Sequence, residues 1–251
     1  DFKRLLSILL LCSSTTLLIA EEIPVEEFFC DSALSGVTLS PDGKKYAALV
    51  PINGPACAVE EDDDPQSARV LLVMDLETKK PIILSGTADY ARIVQFFWLN
   101  DDRIGFYKQP TRGLDAYDLW AIDIDGKNLK KLVPGKWEDG YATGARVSFL
   151  MDDDHDHVLV EYTKRRPKYT DIYKLNIYSG RLTTLAIDPV LGNNTLMGWA
   201  IDQQGNVRGY MAMDGLKYKL YHRNNVDEDF ALLREFTYQE AMFMPQTYDY
   251  D

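Results

Sequence analysis

The densest group of chemistry-bearing side chains is the run Asp152, Asp153, Asp154, His155, Asp156 and His157. Carboxylates and neutral imidazoles are ligands for divalent cations, so on residue type alone this run could hold a metal. Neighbours on a strand point to opposite faces, however, and Asp is a common turn former, so the same run also reads as the polar tip of a hairpin. A second acidic run, Glu60-Glu61-Asp62-Asp63-Asp64, could take a cation or a substrate amine, or be a solvated loop between strands. Lys164, Arg165 and Arg166 could draw a carboxylate, or again be a solvated loop.

Other chemistries find less to work with. No G-x-S-x-G nucleophile elbow occurs, and no His follows a candidate Ser and Asp in a helix-rich segment. Three cysteines and three histidines (His155, His157, His222) give no zinc-ligand spacing. The expected catalytic, cofactor and metal sets are therefore all empty. With 27 Lys+Arg against 39 Asp+Glu the net charge is -12, and no stretch interleaves base with aromatics, which argues against a nucleic-acid partner. Asn193-Asn194-Thr195 is a sequon that would make Asn193 a glycosylation site in a eukaryotic secretory pathway.

The first twenty residues stand apart. Lys3 and Arg4 precede an apolar run from Leu5 to Ala20, and Glu21-Glu22 ends it. At about 1.5 Å per residue the run is roughly 24 Å long, short of the ~30 Å hydrocarbon core. It reads as a signal peptide cut after Ala20, with a secreted or periplasmic product that keeps no membrane span. Removing it leaves Cys30 and Cys57, which in an oxidising compartment either pair or stay as separate thiols. Pairing would contribute about 3 kcal/mol in the chain-entropy model.

The elements that must position all these groups follow from a repeat of about fifty residues. One hairpin phrase appears as LSPDGKKYAALV from 39, FWLNDDRIGFYK from 97, FLMDDDHDHVLVEYT from 149 and WAIDQQGNVRGYMA from 199. A second appears as VLLVMDLETKKPIIL from 70, YDLWAIDIDGKNLKKLV from 117, TDIYKLNIYSGRLTTLA from 170 and a looser LKYKLYHR from 216. Leu72, Met74 and Leu76 align with Trp120, Ile122 and Ile124, and with Tyr173, Leu175 and Ile177. The slot between is polar in each copy, at Asp75, Asp123 and Asn176. That is the period of two of a strand. Asp42-Gly43, Asp125-Gly126, Ser179-Gly180 and Gly205 supply the positive φ of tight hairpin turns. Trp98 and Trp199 recur just before turns, where packing between adjacent units accounts for them.

Two hairpins per repeat make a four-stranded antiparallel blade. The predicted fold is thus all-β, an incomplete β-propeller of about four blades plus the start of another at TYDYD, occupying 21–251 after a 1–20 signal peptide. An unclosed ring leaves edge strands unpaired, so the chain alone is expected to associate.

The phrase LSPDGKKYAAL resembles the SPDG-type repeat of propellers in the prolyl oligopeptidase family and in TolB-type periplasmic proteins. The order of a signal, IPVEEFF, SALSGVTLSPDGKKYAALV and the MDL, IDIDG and LNIYSGRL strands resembles the start of exported peptidases of that family, dipeptidyl and acylaminoacyl types included. The resemblance implies a propeller capping an α/β-hydrolase domain that is absent from this chain, with a Ser, Asp, His triad there and peptide substrates reached through it. It also implies a gating role for the propeller and, in the dipeptidyl peptidases, a paired-glutamate element whose context is not matched here. The alternative is a stand-alone TolB-like propeller that binds proteins.

Overall fold

A computed structural model of the chain describes residues 34–51, 69–84, 92–109, 116–151, 153–166, 169–189, 194–237 and 239–240. All the described strands lie in one compact unit, Ala33–Gly54 with Asp63–Asp251. They form four consecutive blades of a β-propeller, and the described residues include no helix.

The first blade comprises β1 (Ser35–Leu39), β2 (Lys45–Pro51), β3 (Arg69–Asp75) and β4 (Pro81–Leu84). The second comprises β5 (Arg92–Asn100), β6 (Arg103–Gln109), β7 (Asp118–Asp123) and β8 (Lys130–Val133). A short hairpin follows, β9 (Lys136–Glu138) and β10 (Tyr141–Thr143). The third blade is β11 (Ala145–Leu150), β12 (His157–Arg166), β13 (Tyr169–Asn176) and β14 (Leu182–Ala186). The fourth is β15 (Thr195–Ile201), β16 (Val207–Asp214), β17 (Lys217–His222) and β18 (Ala231–Thr237). Within every blade the strands pair in chain order, each antiparallel to the next.

The turn chemistry explains this local order. Gly43, Gly126, Gly180 and Gly205 sit at φ of 68°, 82°, 76° and 81°, a region that costs glycine little. In the first and third blades the polar slot that ends the third strand is a turn cap. Asp75 Oδ1 accepts the N–H groups of Glu77 and Thr78, and Asn176 Oδ1 accepts those of Tyr178 and Ser179. In the fourth blade the last connection is longer. There Arg223 lies 4.4 Å over the Phe230 ring and donates to the main-chain oxygens of Val207 and Val226, folding residues 223–230 between β17 and β18.

The aligned apolar triplets of the second and third blades do face one way, toward the preceding blade. Trp120, Ile122 and Ile124 pack with the first blade's Ala47, Leu49, Leu71 and Val73, while Tyr173, Leu175 and Ile177 pack with Leu119, Ala121 and Val133 of the second. The opposite face is apolar as well, because Leu119 and Ala121 meet the third blade and Ile172 meets the fourth. A blade between two others is covered on both sides, so strict alternation gives way to continuous burial along its central strands.

Trp98 and Trp199 lie in these inter-blade cores, as expected. Trp98 packs with the first blade and donates from Nε1 to Thr38 O at 3.4 Å; Trp199 packs with Ile172 and Ala186 and donates to Thr170 O at 2.9 Å. Hydrogen bonds join the blade ends too: Asp42 N to Asp101 Oδ1 at 2.8 Å, and Asn100 Nδ2 to His155 O at 2.9 Å.

Candidate functional site

Residues 153–156 fall on the turn between β11 and β12 and His157 opens β12, so the hairpin reading holds for the described part of the run; Asp152 lies outside the described residues. Asp154 is occupied by protein partners: Lys174 Nζ at 2.6 Å, His157 Nδ1 at 2.8 Å and the Asp156 N–H at 3.3 Å. Burial pushes its carboxyl up, but hydrogen bonds from Lys174 and His157 outweigh this and hold the pKa at about 2. On its other side the His157 ring faces the amide nitrogen of Asn176, Nε2 to Nδ2 at 3.3 Å. Among the described residues no three His, Cys, Asp or Glu side chains converge as metal ligands.

Arg165 corrects the loop reading of 164–166. It belongs to β12, and its guanidinium grips Asp171 through Nε at 2.5 Å and Nη2 at 2.7 Å. Asp171 is fully buried and also accepts the Asp188 N–H and the Tyr173 hydroxyl. Burial raises its carboxyl, and these hydrogen bonds, led by Arg165, bring it below the usual range. Burial, with the Asp171 charge beside it, pushes Tyr173 up to about 12. Consecutive bases usually mark a solvated segment, and a fork-to-fork pair six residues apart across a hairpin leaves no mark in the sequence. Cys30, Cys57, Asn193 and the acids from 60 to 64 lie outside the described residues.

One concave surface was not singled out by the sequence. It is a groove between β5 and β11, the first strands of the second and third blades. One hollow of about 480 Å³ adjoins another of about 410 Å³, and they share Gln95, Tyr107 and Arg146. Tyr107 bridges the blades, its hydroxyl accepting the Val147 N–H at 2.7 Å, and burial raises its pKa. Arg146 donates from Nη2 to Glu161 at 2.7 Å; its side chain is 73% exposed against 17% for Glu161. This pairing with the carboxylate raises the guanidinium pKa further.

The β9–β10 hairpin walls one part of the groove through Ala142 and Thr143. Asp139 and Gly140, at φ of 50° and 79°, form its two-residue turn. Gly135 seats it, since a Cβ there would stand 2.6 Å from the carbonyl carbon and oxygen of Tyr117. Trp137 is directly opposite Ala142 in the ladder, so both side chains leave on one face, and Trp137 is 50% exposed. The Asp-Gly pair between Trp137 and Tyr141 was the signal that could have found it.

No protein-family model matches the chain. In sequence it is similar to dipeptidyl aminopeptidase BIII of Pseudoxanthomonas mexicana, 26% identical over 167 residues, which is 66% of this chain and 21% of that enzyme. The chain thus spans about a fifth of the curated relative it matches. Among solved structures it is similar to an oligogalacturonate lyase in complex with manganese (TM-score 0.48, 12% identity, 76% of this chain and 52% of that one). It is also similar to a putative TolB of Agrobacterium tumefaciens (0.40, 12%, 83% and 66%) and to an acylaminoacyl peptidase (0.35, 16%, 77% and 38%).

Proposed function

We propose that the chain is the propeller segment of an exported serine peptidase resembling the prolyl oligopeptidase family. In that setting it gates the approach of peptides to an α/β-hydrolase domain carried outside these 251 residues. The observation that carries this reading is the 167-residue likeness to a dipeptidyl aminopeptidase. The four blades supply a rigid wall, and the groove along β5 and β11 supplies a recess at which a peptide could pause. Export rests on Lys3, Arg4 and the apolar run to Ala20.

Reading the gene past the codon for Asp251 tests the proposal. The expected frame continues to a G-x-S-x-G and then to an Asp and a His, and the whole product hydrolyses peptides that the 251-residue chain leaves intact. A stop codon directly after Asp251 overturns the peptidase reading and leaves a stand-alone binding propeller.

A further inference from the structure

We infer that the groove between β5 and β11 holds an extended peptide, with a large apolar side chain against the aromatic rim and a carboxylate on Arg146. The choice of a peptide as occupant rests on the gating role proposed above. Three features of the site carry the rest.

The first is shape. Two adjoining hollows that share Gln95, Tyr107 and Arg146 make one elongated trough, which suits a chain better than a compact ligand. The second is the backbone of its walls. β5 and β11 are each terminal in their sheets, hydrogen-bonded to a single neighbouring strand, β6 and β12 respectively. Their other edges belong to no ladder among the described residues, and a strand edge of this kind is what an extended peptide pairs with.

The third is side-chain chemistry. Glu161 holds the Arg146 guanidinium in place while most of that side chain stays open to solvent. A positioned guanidinium is suited to recognising a carboxylate. Tyr107 accepts from Val147 and keeps its own proton to donate. Trp137 leaves on the same face as Ala142, which lines the trough, from the one described hairpin that lies outside the four-strand repeat, and it belongs to no core cluster. A half-exposed tryptophan beside a concave surface is characteristic of a binding rim, since its large rigid face costs little entropy to order.

Trp137 is also the reporter. Of the four tryptophans, Trp98 and Trp199 are buried and Trp120 is partly so, whereas Trp137 is half exposed. The experiment titrates the 251-residue chain with acetyl-Ala-Ala-Ala-Phe and with its C-terminal amide, following tryptophan emission. The free carboxylate is expected to bind about tenfold more tightly than the amide, with a blue shift that Trp137→Phe abolishes. Arg146→Gln should remove that preference, and both variants should keep the parent's denaturation midpoint. Absence of any spectral change at millimolar peptide, equal binding by Arg146→Gln, or binding of chitotriose in place of the peptide would overturn the inference. Because binding is read without hydrolysis, a stop codon after Asp251 would sink the gating role and still leave the groove measurable.

Discussion

The Nε of Arg103, on β6 of the second blade, donates a 2.9 Å hydrogen bond to the main-chain oxygen of Ile177 in the third. The same guanidinium pairs with Asp123, donates to Asn128 O at 3.1 Å and lies 5.0 Å from the Tyr178 ring centroid, with 1% of its side chain exposed. One buried cation thus ties a strand, a turn and the neighbouring blade together.

Replacing Arg103 by Met leaves the Ile177 carbonyl without its donor and Asp123, 23% exposed, with Asn128 Nδ2 as its remaining partner. Loss of hydrogen bonds to a charged group costs about 1.5–3 kcal/mol, and urea denaturation should show a drop of that order. A loss below about 0.5 kcal/mol would mean the pair is replaced by solvent at no cost.

Asp154 gives the chain an acid-sensitive turn. Its folded pKa of about 2 lies below the ordinary carboxylate value of 3.8, so its contribution is complete above about pH 4 and is lost as pH falls through 2. Asp154→Asn should flatten the stability profile in that window and leave the slope above pH 5 unchanged. Denaturation midpoints from pH 2 to 6 measure both.

The tryptophans separate by role. Trp98→Ala and Trp199→Ala open cavities in two inter-blade cores and should each cost about 3–5 kcal/mol. Trp137→Ala, half exposed on its hairpin, should stay within about 0.5 kcal/mol of the parent. Thermal unfolding of the three variants side by side decides this.

Gly135→Ala places a methyl 2.6 Å from the Tyr117 backbone, which cannot yield as a side-chain tip would. The connection must shift and carry the β9–β10 hairpin with it, at about 1–3 kcal/mol. Faster amide exchange at 136–143 than in the parent, with β12 and β13 unchanged, is the expected result.

How much of this was legible in the sequence depended on whether the signal repeats. The blades were, because the hairpin phrases recur at a fixed spacing, with glycine at positive φ in the turns at Gly43, Gly126, Gly180 and Gly205. Trp98 and Trp199 were placed correctly for the same reason. The fourth strand of the last blade, ALLREFT, does not stand out in the sequence because the eight-residue connection 223–230 sets it off from LKYKLYHR. The β9–β10 hairpin occurs once and so adds nothing to the periodicity. Arg103 and Arg165 have polar partners that folding alone brings within reach: Ile177 lies 74 residues from Arg103, and Asp171 faces Arg165 across a hairpin. The groove depends on how two blades splay apart, which neither blade's own sequence encodes.

The β9–β10 hairpin closes on itself through three registered pairs and hangs from the link between two complete sheets. Its residues enter no blade ladder. Changes at 136–143 can therefore alter the rim of the groove while the neighbouring sheets keep their pairing. Divergence among relatives would be tolerated there, and an engineer seeking a new specificity would exchange this segment first.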